Sequence, residues 1–469
     1  MKKIFSYIII LTALAALSSC EKWLDVKPKS QVESEVAFRE EQGFKDALTG
    51  IYVGLTDNSL YGKEMTYGMA DVLGRQYTQL TGAYNQFAAY NYTNDTVKTR
   101  VNAVWNKMYK NIANANNLIT NIKSADPGMF TGTDQKVITG EALALRAFMH
   151  FDLLRLYAPA PASSGGSSAQ AIPYVTSFGV QSVSKRTVAA VIEKVLADLN
   201  EAAAALKDAD PIVKGSTIPS TTTGYLRNRT YKFNYYAVKA LMARVYLYAG
   251  DRVNALAAAK EVIESSVFPF ATPVTVLNGN DKVFVSELIF ALNINNIHTQ
   301  ALTYFNADAA ALLSRLETEY SADFDNDAND YRYIYGSATT AGNIKRFPTK
   351  LLSNSFAAYN FKMPVLRVSE MYLIAAECLK LSDASAAADY INKLRTARNN
   401  RYTVAANATA DEIQTQIFKE YRREFVAEGQ LFYYYKRLNA ATIMYSGINA
   451  TNAIYVLPLP DEEIEYGAN

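Results

Sequence analysis

The segment KALMARVYLYAGDRVNALAAAKEVIES carries apolar residues at three- and four-residue spacings on both sides of a Gly250-Asp251 break. That pattern describes two amphipathic helices folded back on one another. Ala243 and Ala255 are small enough to let the helices approach closely, and Gly250 permits the turn between them. With Tyr246, they give the small, aromatic, turn and small order of a tetratricopeptide-like unit. The segment EMYLIAAECLKLSDASAAADYINKLRTAR repeats the order through Ala375, a Leu381-Ser382-Asp383 turn and Ala387. A third pair joins Leu143–Tyr157 to Thr187–Leu206 across a Ser/Gly-rich insertion, and a fourth joins Phe44–Leu55 to Val101–Ile122 across a longer one. Such pairs bury their apolar faces against neighbours and therefore stack. The predicted fold is mainly α: four tetratricopeptide-like helix pairs form a scaffold, with long loop-rich inserts that carry little strand. The inserts, at about 56–100 and 267–365, are where a functional surface is expected.

At the N-terminus, Lys2 and Lys3 precede an almost wholly apolar run from Ile4 to Leu17 and the small pair Ser18-Ser19. This is the anatomy of a secretory signal, assigned to residues 1–19. The run falls short of the roughly 20 apolar residues a spanning helix needs. Leu17-Ser18-Ser19-Cys20 resembles the bacterial lipobox, which implies cleavage before Cys20 and acylation of its thiol by palmitate-type chains; the alternative is an ordinary signal with an incidental Cys. The folded body is then 20–469, and Cys378 is its one thiol, so no intrachain disulfide is possible. Removing Lys2 and Lys3 brings the 47 basic side chains to 45, level with the 45 acidic ones. A balanced chain gives no electrostatic reason to expect nucleic acid or a polybasic membrane patch, leaving lipid as the anchor.

Histidine is scarce: His150 and His298 are far apart, and neither CxxC nor HExxH occurs, so no metal site is predicted. His150, set in LALRAFMHFDLLRLY, reads as a hydrogen-bonded packing residue rather than a base. Glu420, Glu424 and Glu428 share a helical face, and a glycosidase needs two carboxylates about 5–10 Å apart. Lys419, Arg422, Arg423 and Lys436 offer them partners, which favours a structural ion network; the same reading applies to Arg367 with Glu370 and to Arg146, Asp152 and Arg155. The acidic run Asp323–Asp330 has oxygens at alternate positions, but Ala328 and Ile334 stand where a calcium loop needs Gly and Glu, so calcium is possible without being supported.

Tyrosine is abundant, with 33 copies. The insert ADVLGRQYTQLTGAYNQFAAYNYTND mixes aromatic rings, which stack on sugar C–H faces, with amides and Arg, which bond sugar hydroxyls. Its candidate ligand-binding residues are Asp71, Arg75, Tyr77, Tyr84, Asn85, Gln86, Phe87, Tyr90 and Tyr92, joined by Tyr304 from the later insert. The competing reading packs these rings onto the helices.

The lipobox followed by WLDVKPKSQ, then GFKDALTGIYVGL, GEALALRAFMHFDLLRLYA, NDYRY, PVLRVSEMYLIAAECL, YRREFVAEGQLFYYYKRLN and PLPDEEI, resembles the SusD/RagB family of surface lipoproteins nearly end to end. The resemblance implies four tetratricopeptide-like helix pairs supporting a loop-rich portion. It also implies a non-catalytic protein, anchored by lipid in the outer membrane and facing the exterior. Such a protein captures oligosaccharides and delivers them to a SusC-like TonB-dependent transporter. Starch binders in the family carry Trp platforms where this chain has Tyr and Phe, and some relatives take up oligopeptides. An Asp-x-Arg turn in the family, matched by Asp330 and Arg332, implies a structural role for that site. Three alternatives stay open: an oligopeptide-binding member of the same system, an all-α glycoside hydrolase, and a helical scaffold without a small ligand.

Overall fold

The computed structural model describes residues 37–179, 182–214 and 224–467. The signal segment and Cys20 lie outside the described residues. Four helix pairs build the scaffold: α1 (Glu41–Leu55) with α2 (Asp95–Ser124), α3 (Asp134–Tyr157) with α4 (Val188–Leu206), α5 (Tyr235–Ala249) with α6 (Arg252–Glu264), and α7 (Val368–Leu379) with α8 (Ala384–Ala397). Successive pairs stack through α2 on α3, α4 on α5, and α6 on α7. Two further helices, α9 (Ala410–Glu424) and α10 (Leu431–Arg437), close the stack, and α11 (Asp461–Tyr466) ends the described chain. Among the described residues, no helix is long and apolar enough to cross a membrane.

The joints within pairs follow from their turn residues. Gly250 takes the left-handed conformation, φ 85°, that stops α5, and the Asp251 side chain accepts the Asn254 N–H at 3.1 Å to start α6. Asp383 caps α8 in the same way, accepting the Ala386 N–H at 2.9 Å. Ala243, Ala255, Ala375 and Ala387 are completely buried, so a larger side chain at any of them would push a helix pair apart.

Strand is sparse. β1 (Gln170–Pro173) pairs antiparallel with β2 (Lys185–Thr187), and β3 (Leu288–Asn293) pairs antiparallel with β7 (Lys362–Arg367). Between them, β4 (Arg315–Leu316), β5 (Ser337–Thr339) and β6 (Lys345–Pro348) form a small sheet in the order β4-β6-β5. The chain between α1 and α2 and the chain between α6 and α7 are the two large irregular regions.

Helix α3 is buried on every face from Gly140 to Tyr157, so each of its charges needs a partner. Glu141 and Asp210 hold Arg229, Arg146 reaches Asp198 of α4 through two bonds of 2.7 Å, and Asp152 holds Arg155. His150 is held differently. Its Nε2 accepts the Val175 N–H at 3.0 Å, so its proton sits on Nδ1 and is donated to the Arg146 carbonyl at 2.9 Å. The ring stacks on Tyr174 with centroids 3.9 Å apart. A second proton would break the bond to Val175, and burial lowers the imidazole pKa to about 3.

Because the folded pKa lies below that of the unfolded chain, the unfolded state binds the extra proton as pH falls below about 6.5. Stability from neutral His150 is full above that pH and is lost toward pH 3, by as much as about 4 kcal/mol. Urea unfolding at a series of pH values should therefore give a shallower acid loss for His150→Gln than for the parent; parallel profiles would remove His150 as the sensor.

Candidate functional site

The carboxylates that motivate a hydrolase reading lie in a saturated ion network. Glu420 accepts Arg395 Nε at 2.7 Å, Arg332 Nη1 at 2.8 Å and Arg423 Nη1 at 2.9 Å. Glu424 accepts Arg398 Nη2 at 2.6 Å and Arg332 Nη1 at 3.0 Å, and it also holds Arg367. Glu428 accepts Lys350 Nζ at 2.5 Å and Arg367 Nε at 3.0 Å. Glu287 completes the cluster with two bonds to Arg398 of 2.6 and 2.7 Å. The surrounding guanidinium groups hold the Glu420 and Glu424 carboxyls well below the ordinary range against the opposing effect of burial. Neither can act as a general acid near neutral pH. The narrow pocket bordered by Arg332, Lys350 and Arg423 has about 20 Å³, room for a water molecule and not for a sugar.

Most partners differ from those the local sequence suggests. Of the nearby cations only Arg423 bonds these glutamates; Arg422 and Lys419 turn to Asp323 and Asp325, and Lys436 donates to the Leu156 and Tyr455 carbonyls. Arg367 does not pair with Glu370, which holds Arg244 at 2.6 and 2.7 Å. The acidic run is likewise engaged: Asp323 accepts Arg422, Asp325 accepts Lys419 and Arg423, and Asp330 holds Arg332 at 2.6 Å. Its oxygens bind cationic side chains and close the network over α9.

The structure corrects the expected aromatic surface of the first insert. Tyr77, Tyr84, Phe87 and Tyr90 are buried, and Tyr92 is half-buried with its hydroxyl donating to the Ile454 carbonyl at 2.6 Å. Tyr84 donates to Glu64 at 3.2 Å beneath the Arg100 guanidinium, and Tyr90 donates to the Leu73 carbonyl at 2.9 Å. Asp71, fully buried, accepts the Ala427 N–H at 2.7 Å, the Gly429 N–H at 2.9 Å and the Tyr77 hydroxyl at 3.1 Å. It latches the insert to the turn after α9, and burial raises its pKa to about 7 despite those donors. Phe87 packs against Tyr84 with centroids 6.1 Å apart, and Arg75 lies over the Tyr90 ring. Only Asn85 is fully exposed, while Gln86 is half-buried and accepts Asn91 at 2.9 Å. Tyr304, half-buried, packs against Tyr67 and Tyr84 with centroids 6.0 and 5.9 Å apart. Most of these residues therefore pack the insert onto the body rather than present a face to a ligand.

The two inserts meet at a backbone bridge. Gln79 bridges Ser314, with Gln79 N–H to Ser314 carbonyl at 2.9 Å and the reverse bond at 3.1 Å. The Leu313 N–H donates to the Tyr304 carbonyl at 3.0 Å and closes the intervening loop. The junction leaves an open cleft of about 430 Å³ lined by Gln79, Leu80, Thr81, Thr340, Ile344 and Lys345 and by the 307–312 loop. It offers an amide, hydroxyls, an ammonium group and alkyl surface, but among the described residues no aromatic ring lines it. Sequence reading missed it because Gln79 and Lys345 are far apart in the chain and a cross-insert bridge has no local signature.

The family described as "Starch-binding associating with outer membrane" matches residues 22–247, and the SusD family matches residues 290–466. SusD-like protein P38 of Formosa agariphila is 23% identical over 96% of this chain and 94% of its own length. A SusD superfamily structure from Bacteroides thetaiotaomicron superposes with TM-score 0.70 at 23% identity, covering 91% of this chain and 98% of that one. A laminarin-binding SusD-like protein superposes with TM-score 0.67 at 19% identity, covering 91% and 98%. The chain belongs to the SusD/RagB family, and its mainly helical fold is that of the superfamily.

Glu424→Gln should act on stability. Taking the charge from the centre of a buried network leaves Arg367 and Arg398 short of a partner and should cost about 3–5 kcal/mol. Denaturant unfolding of parent and variant measures this; an unchanged midpoint would contradict the structural role.

Proposed function

We propose that this chain is a non-catalytic, lipid-anchored surface protein that captures oligosaccharides and hands them to a SusC-like TonB-dependent transporter in the outer membrane. The carrying observation is the cleft at the junction of the two inserts, in a chain matched over both halves by SusD family descriptions. The cleft is open and shallow enough to admit part of a longer chain, and Gln79, Thr81 and Thr340 present the amide and hydroxyl groups that sugar hydroxyls bond. The laminarin-binding neighbour supports a glycan as cargo. A catalytic role has no support from Glu420, Glu424 or Glu428, whose oxygens are held by guanidinium and ammonium groups.

One observation favours the oligopeptide reading. A cleft without aromatic rings suits a ligand recognised through main-chain hydrogen bonds, and Lys345 suits a carboxylate. Calorimetry of the purified protein against neutral glucan oligosaccharides and mixed oligopeptides separates the two. On the glycan reading, sugar binding weakens about tenfold in the Gln79→Ala, Lys345→Ala double variant, the loss of one or two hydrogen bonds. Binding of peptides alone selects the alternative, and binding of neither overturns both.

The anchor has its own test. With Cys20→Ala the protein should leave the membrane fraction for the soluble one, since each buried acyl methylene contributes about 0.8 kcal/mol of membrane affinity. Retention in the membrane fraction would exclude lipid at Cys20 as the anchor.

A further inference from the structure

A second cleft, of about 410 Å³, lies on the scaffold itself, between α2, the segment around Pro173 and α11. It shares no residue with the cleft at Gln79. Its lining includes Trp105, Asn106, Tyr109, Glu462, Glu463 and Tyr466. Trp105 and Tyr109 form a fixed aromatic wall, with centroids 4.7 Å apart, braced by Tyr157 behind Trp105 and by the Tyr109 hydroxyl donating to the Pro173 carbonyl at 2.8 Å. On the other side stands Tyr466, 74% exposed, on a helix tied to α2 by Lys98 and Asp461 at 2.9 Å.

Glu463 is the feature that points to a ligand. Its Oε1 is buried and has no hydrogen-bond partner among the described residues, although the cleft is open beside it. A buried acceptor left without a donor is unfavourable, and a ligand hydroxyl or ammonium would relieve it. Gly467 makes this placement possible: a Cβ there would lie 2.7 Å from Oε1 and displace the carboxylate. The cleft therefore combines ring surface, an amide and two carboxylates, within the size range of small-ligand sites.

We propose that this cleft is a second saccharide site, for pyranose units that are neutral or carry an amine. Tyr466 and the half-buried Tyr109 contact their C–H faces, with the buried Trp105 backing Tyr109, and Glu463 and Glu462 accept their hydroxyl or ammonium protons. Uronate and sulfated sugars are disfavoured, because Glu462 and Glu463 repel them. The class of ligand rests on the glycan reading above, whereas the location does not depend on the first cleft. Two sites on one body would let a polymer bind more tightly than either site alone.

The chain has two Trp residues, so Trp23→Phe leaves Trp105 as its only indole and a direct reporter of this cleft. Glucose, glucosamine and galacturonate oligosaccharides are titrated into that protein with Trp emission and calorimetry read in parallel. Expected is a saturable Trp105 response to the neutral or the amino oligosaccharide and none to the uronate. Glu463→Ala should weaken it at least about tenfold, while the Gln79→Ala, Lys345→Ala variant leaves it in place. Saccharide binding seen by calorimetry with a silent Trp105 would overturn the second site while sparing the first. So would a Trp105 response indifferent to both Glu463→Ala and Tyr466→Ala, and uronate binding would overturn the charge assignment. Absence of saccharide binding by either readout would overturn this proposal together with the glycan reading.

Discussion

The buried ion network centred on Glu424 ties the second insert to the scaffold. The Glu424 carboxylate is reached by Arg398 from the end of α8, Arg367 from the end of β7 and Arg332 from the second insert, and it is fully buried with all three. Burying so many charges costs several kcal/mol per ion unless each is paired with good geometry. Paired groups therefore tolerate little displacement, which is what a large insert needs. The insert adds Phe290, Phe305 and Leu313 to the main core and has a small apolar cluster of its own in Ala271, Val276, Phe284 and Tyr331. Its register on the scaffold is fixed by Arg332 on Glu420 and Glu424 of α9, Lys350 on Glu428 in the turn after α9, and Glu287 on Arg398 at the end of α8.

From that anchor the first insert is placed in turn. The turn after α9 presents the Ala427 and Gly429 N–H groups to Asp71, and Asp71 fixes Tyr77. Gly429 is left-handed, φ 73°, and a Cβ there would lie 2.3 Å from the Met65 carbonyl oxygen, so no other residue allows the insert this close. Tyr77 packs on Phe305, and the chain just beyond it bridges Ser314. The cleft at Gln79 is thus the far end of a sequence of contacts that starts at a buried carboxylate about 350 residues away in the chain, Asp71 to Gly429 being 358 apart.

The helix pairs were legible because their cause is local. Spacing, small residues and the Gly250-Asp251 and Asp383 joints all act within a few residues, and the same pairs stand in the structure. The character of the charged helix face was legible too, since carboxylates four apart must be neutralised. Its partners were not: Glu424 draws on Arg332 and Arg367, 92 and 57 residues away, rather than on neighbouring Arg422. The first insert misled for a related reason. Composition reveals that rings are present but not which way they face, and here Tyr84 and Phe87 turn inward while Gln79 and Thr81 line the opening.

The abundance of tyrosine has a structural explanation that binding alone does not supply. Inserts that pack on the scaffold shut backbone carbonyl oxygens off from water, in loops and at the ends of helices and strands. A phenol can fill an apolar gap and donate one hydrogen bond at its far end. Tyr109 donates to the Pro173 carbonyl at 2.8 Å, Tyr90 to Leu73 at 2.9 Å, Tyr92 to Ile454 at 2.6 Å and Tyr455 to Ala440 at 2.8 Å. Others reach the buried carboxylates: Tyr52 donates to Glu141 at 2.6 Å and Tyr174 to Asp198 at 2.6 Å. Phenylalanine could fill the same space but would leave each acceptor unpaired. A scaffold of regular helices needs few such donors; one that carries two long irregular inserts needs many, and that demand accounts for tyrosines that no ligand touches.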